Sequence, residues 1–306
     1  MSAAQRMDRR ALFASGAAAA LLAATGVSAG SLPRRGGRLR LALSGARRDD
    51  AFDPQLLTVL DQREGGGLFL QIAMAGVVFE TLTEIASDGT LRGELATGWR
   101  SNAASTIWDF DLRANVSFHN GKDFSAEDVA GLTSVTRRVP ALRNVSNIQA
   151  LAPDRVRFEL LRPEPQLPFL LSDPGLSILP ATGRQAAIEQ GIGTGPYVIR
   201  KFDPGRHLIA ERLERHHKDG RAAWFDSVEM VGISAGAVRA EALREQLVDA
   251  ADLATTADLE HTDGLVCLPD GRAMTCAVDQ RIALPAQLGA TWPLDDLRAP
   301  QRWWIA

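Results

Sequence analysis

Residues 80–129 read ETLTEIASDGTLRGELATGWRSNAASTIWDFDLRANVSFHNGKDFSAEDV. Within this stretch, 106–113 alternates: Trp108, Phe110 and Leu112 fall on one side, and Asp109, Asp111 and Arg113 on the other. That is the period-2 signature of a strand with one buried face. A second strand is predicted at 116–119, the pair Asn120-Gly121 turns the chain, and Ser125 caps a helix beginning at Ala126. Asp128, three residues after Ser125, is placed as the acidic partner of a capping box. The unit is strand, strand, turn, capped helix. All of these signals are structural, and none of them is chemical.

Six phrases in this region stand in a fixed order: GVVFETL at 76–82, DGTL at 88–91, ELATGW at 94–99, WDFDL at 108–112, VSFHNG at 116–121 and FSAEDV at 124–129. Together they resemble the peptide/nickel-type extracytoplasmic solute-binding proteins of ABC importers, solute-binding protein family 5. The resemblance implies a mixed α/β fold, similar to lobe one of a type II periplasmic binding protein, with a smaller subdomain inserted at about 76–170. It also implies a non-catalytic protein that binds a peptide or small molecule, needs no cofactor, and works with an ABC permease in the inner membrane.

Upstream, residues 1–29 read as an export signal. Arg6, Arg9 and Arg10 precede an apolar run at 17–24, and Val27-Ser28-Ala29 offers small residues for cleavage. The run is Ala-rich and too short to span a bilayer. Arg9-Arg10 with Phe13 is similar to a twin-arginine signal, and a general secretory signal is the alternative. No cysteine precedes Cys267, so the expectation is a soluble periplasmic protein without a lipid anchor. Removing three Arg and one Asp with the signal shifts the formal charge from −3 to −5. A mildly acidic chain without a basic cluster argues against nucleic acid as a partner.

Beyond the signal, the domain reading is a lobe at 30–260 and a short β element with a tail at 261–306. A first strand is predicted at 38–44, with Leu39, Leu41 and Leu43 on one face. Phe52-Asp53-Pro54 resembles the family phrase that follows this strand, which makes Phe52 a candidate ligand contact. Gly65-Gly66-Gly67 lacks the spacing and the Lys-Ser/Thr ending of a phosphate cradle, so it reads as a loop before a helix at 68–78. A hairpin is predicted from strands at 146–151 and 156–160, then a short helix at 167–171 and a brief strand at 177–180. Gly193-Thr194-Gly195-Pro196-Tyr197 is the second family phrase. In relatives it enters a strand beside the ligand cleft, so Thr194 and Gly195 are the other ligand candidates; the alternative is that they only shape a tight turn. Strands at 197–202 and 207–211 follow.

Two stretches suggest other chemistry. His216-His217 with Asp219 has metal-ligand residue types, but adjacent histidines on a loop point apart and no third ligand is spaced nearby, so no metal is expected. Gly232-Ile233-Ser234-Ala235-Gly236 matches a nucleophile elbow between a strand at 227–231 and a helix at 238–247. Asp249, Asp252 or Asp258 with His261 would complete a hydrolase in the required order. Ser234 as a simple helix cap is the competing reading, and His261 follows too soon for the strands that normally place acid and base.

From Val248 onward the chain resembles the family's crossing into a second lobe, and there the resemblance stops. A β element is predicted at 265–268 and 273–278. Cys267 and Cys276, with eight residues between them, are the only cysteines, and an oxidising compartment favours a disulfide. They face each other if the hairpin centres between Gly271 and Arg272, and miss if Pro269-Asp270 holds the turn centre.

Overall fold

The computed structural model describes residues 35–57, 67–85, 90–135, 139, 142–253, 265–269 and 275–279, the last two stretches as strand backbone. The export signal, Asp258, His261 and the Trp-rich tail lie outside the described residues.

Strand β1 (Arg38–Leu43) sits inside a seven-stranded sheet and explains its layering. The hydrophobic side chains of Leu39, Leu41 and Leu43 enter one core, while Ala42 faces a second, smaller one. Its first half alternates Arg and Leu, and its second half, Leu41–Leu43, is apolar and buried on both faces, as parallel strands in α/β sheets are. It pairs in parallel with β10 (Ser227–Gly232) on one side and with β11 (Ala250–Leu253) on the other. Beyond β10 lie the antiparallel strands β9 (His207–Arg212) and β8 (Tyr197–Asp203). On the far side, β13 (Thr275–Asp279) and β12 (Leu265–Pro269) extend the sheet from β11.

Helix α1 (Leu68–Ile72) runs without interruption into a π-helical turn, Ala73–Val78. Its sequence is apolar around the whole circumference, and Phe69, Leu70, Met74, Val77 and Val78 are all buried against the sheet. The Phe79 N–H bonds the Met74 carbonyl, which closes the wide turn. Helix α5 (Gly236–Arg244) covers the opposite face, seating Ala240 and Leu243 on Ala42 and Ala251; alanines at these two strand positions let the helix approach closely. It begins two residues earlier than predicted and ends at Arg244 because Gln246 takes a positive φ of 56°.

The inserted part is built from local pairings. Strands β2 (Thr83–Ile85) and β3 (Leu91–Gly93) form a ribbon. A four-stranded antiparallel sheet follows, in the order β4 (Ala96–Ser101), β5 (Ile107–Leu112), β7 (Arg155–Leu160), β6 (Val145–Ala152). The predicted alternation of β5 holds: Trp108, Phe110 and Leu112 are buried, and Asp109 and Asp111 pair with Arg157 and Arg155 on the outer face. Helix α2 (Ala126–Ala130) starts where predicted, with the Ser125 N–H donating to the Asp128 carboxylate at 2.9 Å.

Residues 116–119 are not a strand. Only one bridge, Ser117 to Asp123, forms around the Asn120-Gly121 turn, because His119 pairs elsewhere: its N–H donates to the Gly193 carbonyl at 2.9 Å. Residues 177–180 do not form a strand either; Ile178 makes a single bond to the Glu80 carbonyl, and Pro180 has no N–H to continue a ladder. Short helices α3 (Leu167–Leu170) and α4 (Arg184–Gln190) complete the connection back to β8.

In the β12–β13 ribbon, Cys267 pairs with Ala277 and Cys276 with Leu268. This register lies one position away from the one that sets the two cysteines opposite each other.

Candidate functional site

The phrase Gly193-Thr194-Gly195 packs tightly on the end of the π-helical turn. A side chain at Gly193 would stand 2.1 Å from the Val78 carbonyl, and one at Gly195 2.5 Å from the Val77 carbonyl. Only glycine permits that approach. The Gly195 N–H donates to the Val78 carbonyl at 2.8 Å, and its own carbonyl accepts from His119 Nε2 at 2.8 Å. Thr194 is buried, its carbonyl accepts from His216 Nε2 at 2.9 Å, and its hydroxyl has no partner among the described residues. Phe52 is 1% exposed and stands 4.5 Å from the Phe202 ring, inside the large-sheet core. The three ligand candidates therefore do not share an open surface: two are bound into a buried loop and one is core.

Thr194 leads instead to a cluster that sequence reasoning missed. Lys218, with its side chain 6% exposed, directs its ammonium at three buried carboxylates: Glu94 in a very close contact, Glu84 at 3.0 Å and Glu80 at 3.3 Å. His217 Nε2 lies 2.8 Å from Glu80, and its Nδ1 is buried without a partner among the described residues. Every carboxylate comes from the segment that enters the inserted part, and both histidines and the lysine come from the loop between β9 and β10. Burial works to raise the Glu80 carboxyl, but Lys218, His217 and His216 override it and hold it well below the usual carboxylate range. Burial also dominates at Glu94, reinforced by Glu84 and Glu80 against the pull of Lys218, and pushes this carboxyl up to about 8. Burial lowers His217 against the field of Glu80, whereas for Lys218 the three glutamates outweigh burial and raise it.

Glu80, His216 and His217 also bring three ligand-type atoms within 4.8 Å of one another. The donor set does not fit an ion. The Lys218 backbone N–H donates to His216 Nδ1 at 3.2 Å, so the ring proton sits on Nε2, the nitrogen that would have to bind metal. The Lys218 ammonium further occupies the Glu80 carboxylate. Asp219 points elsewhere, accepting from Arg35 at 2.8 Å.

A second polar group gathers where the carboxyl ends of β10, β1 and β11 meet. The connection from β10 through α5 to β11 passes over β1, while β1 itself leads to α1 on the other face; such reversals open a crevice at the strand ends. Asp252 accepts from the Ser44 N–H at 2.7 Å and pairs with the buried Arg239, whose guanidinium holds the Ile233 and Ser234 carbonyls at 2.6 and 2.9 Å. The Ser44 hydroxyl is buried and has no partner among the described residues, and the first turn of α5 has no side-chain cap, its N-cap being Ala235 and not Ser234. Ser234 is exposed, and the group it engages in this network is its carbonyl.

A sequence profile of bacterial extracellular solute-binding proteins, family 5 middle region, matches residues 90–265, more than half of the chain. The chain belongs to this family. Among curated relatives, the HTH-type transcriptional regulator SgrR of Salmonella typhi is 28% identical over 139 residues, covering 44% of this chain and 25% of that protein. Among solved structures, the periplasmic binding protein DppA from Helicobacter pylori, in complex with the peptide STSA, superposes with a TM-score of 0.63 at 22% identity, covering 77% of this chain and 51% of that one. The nickel ABC transporter protein from Bacillus halodurans gives 0.61 at 22% identity, over 76% and 46%. The chain shares with the two solved structures the mixed α/β fold of type II periplasmic binding proteins, and it spans about half the length of the two structures and a quarter of the regulator. Among the described residues, no helix is long and apolar enough to cross a membrane.

The signal for the buried cluster was present in the sequence but dispersed. Glu80, Glu84 and Glu94 stand among apolar residues at 76–96, and a basic run, His216-His217-Lys218, stands far downstream. Nothing local links the two runs.

Proposed function

We propose that this family 5 chain is an exported, non-catalytic substrate-binding component related to ABC importers, acting on peptides or other small solutes in the periplasm with an inner-membrane permease as partner. The observation that carries the reading is the family profile over residues 90–265; the carboxyl ends of β10, β1 and β11, beside the first turn of α5 with no side-chain cap, are where open α/β sheets of this topology bind ligands. The family profile and the peptide named in the DppA structure support the solute class. Export rests on the segment at 1–29.

Thermal unfolding against di- to nonapeptides, amino-acid conjugates and nickel–histidine tests this. One class should raise Tm in proportion to occupancy, equivalent to about 2.7 kcal/mol at a hundredfold excess over Kd. A panel with no shift anywhere would overturn it. That result would favour a second reading, an interaction module that keeps the fold without a ligand, for which the internal engagement of Thr194 and Gly195 speaks. Ser234 as a nucleophile has the weakest support, since Arg239 fixes the preceding turn through its carbonyls.

A further inference from the structure

The two larger sheets have four edge strands, and three of them carry devices that discourage a further strand. Strand β8 holds Arg200 and Lys201 and slips register between Ile199 and Lys201. Strand β4 holds Arg100 and slips between Ala96 and Gly98, and β6 slips twice, between Val145 and Asn147 and between Ala150 and Ala152. A slip twists an edge away from a flat partner, and a charge resists being covered. Strand β12 has neither. Its residues, Leu-Val-Cys-Leu-Pro, carry no charge, and their pairing with β13 runs from Leu265 to Pro269 without a slip. No strand among the described residues pairs with its other side.

The sequence of β12 indicates which strand fits there. Laid antiparallel against its own copy, the segment sets Leu265 opposite Pro269, Val266 opposite Leu268 and Cys267 opposite Cys267. Every pair is uncharged, and the two-fold axis passes through the cysteine. Opposite residues of an antiparallel pair have Cα atoms about 4.5 or 5.5 Å apart, and a disulfide bridges either separation. Within the chain, Cys267 stands opposite Ala277 and not opposite Cys276. Cys276 has no such opening, because β13 is paired on both sides, with β11 and with β12.

We propose that β12 is a homodimerisation strand: two copies of this chain join edge to edge in the antiparallel register centred on Cys267, and a disulfide between the two Cys267 residues locks the pair. Strands this short bury far less than the roughly 1,200 Å² of a stable interface, so the pairing is weak until the bond forms. The oxidant is a small-molecule disulfide such as oxidised glutathione. Cys267 of one copy, as the thiolate, attacks it and releases one glutathione; Cys267 of the second copy then attacks the mixed disulfide and releases the other. Two protein thiols give up two protons and two electrons, and one glutathione disulfide becomes two thiols.

The reduced chain, titrated with oxidised glutathione, should shift on a non-reducing denaturing gel from monomer to a species of twice the mass, and dithiothreitol should reverse the shift. Cys276→Ser should cross-link as wild type does, and Cys267→Ser should stay monomeric. Leu265→Lys places a charge on the edge and should slow the cross-linking several-fold. In the linked dimer, backbone amides at 265–268 should exchange hydrogen more slowly than in the Cys267→Ser monomer. A chain that stays monomeric, an internal bond between Cys267 and Cys276, or a dimer that survives Cys267→Ser would overturn the proposal. So would a linked dimer whose 265–268 amides exchange as fast as the monomer's, since that is linkage by collision without strand pairing; this reading stands even if Leu265→Lys does not fold. The experiment uses no solute, so its outcome is separate from that of solute binding.

Discussion

Lys218→Met is expected to cost about 3–5 kcal/mol of stability, the range for deleting one partner of a buried ion pair. Methionine keeps the length and the apolar stem of the side chain, so the loss isolates the ammonium. Without it, Glu80, Glu84 and Glu94 lose the ammonium that all three touch, in a site nearly inaccessible to water, and His217 stays beside Glu80. The urea midpoint should drop at an unchanged m-value. Adding Glu84→Gln and Glu94→Gln to the variant should recover much of the loss, because the cost lies in uncompensated charge and the neighbours are coupled. A single variant within about 1 kcal/mol of wild type, the level of an exposed pair, would show that the ammonium is solvated in solution.

The second large effect is expected from Phe110→Ala, at about 3–5 kcal/mol. Phe110 is fully buried and meets Phe158 edge-on with ring centres 5.4 Å apart, with Trp99 and Trp108 at 6.2 and 6.3 Å. The three aromatic rings around this position would line a cavity that small rotamer changes cannot fill. This core is separate from that of the large sheet, and Ile192 is the residue packed against both. The loss should therefore fall on the inserted part, read from the fluorescence of Trp99 and Trp108 during denaturation. A midpoint unchanged from wild type would mean that the aromatic cluster does not hold this sheet together.

Local patterns were the readable part of this chain. Alternation at 106–113, the Ser125 cap and the glycines at 193 and 195 each act through neighbours in sequence or through backbone sterics, and each led to the observed element. The assignments that failed, strands at 116–119 and 177–180, fall where the backbone is drawn to a distant loop, by Gly193 in the first case and Glu80 in the second. Thr194 and Gly195 were located correctly as a special turn, but what their carbonyls bind depends on His216 and His119, whose arrival no local pattern signals. The charge cluster was hidden for the same reason: glutamates at 80–94 read as ordinary strand and loop residues until Lys218 is placed beside them. The disulfide expectation rested on a hairpin register that compartment arguments leave open, and the ribbon adopts the neighbouring one.

The position of β1 sets an order of events during folding. The inserted sheet joins strands much closer in sequence than β1 and its partners are, so its loops close at less cost and earlier. Strand β1 is an orphan until β10 and β11 exist: Arg38 must find Ser227, and Leu41 must find Ala250. Pulse-labelled hydrogen exchange on refolding protein should accordingly protect amides of β5 and β7 before those of β1, and simultaneous protection would refute that order. Until the late pairing occurs, β1, with Leu39, Leu41 and Leu43 on one face, is left unpaired at both edges. A chain built this way spends its vulnerable interval with its first-made strand waiting for its last.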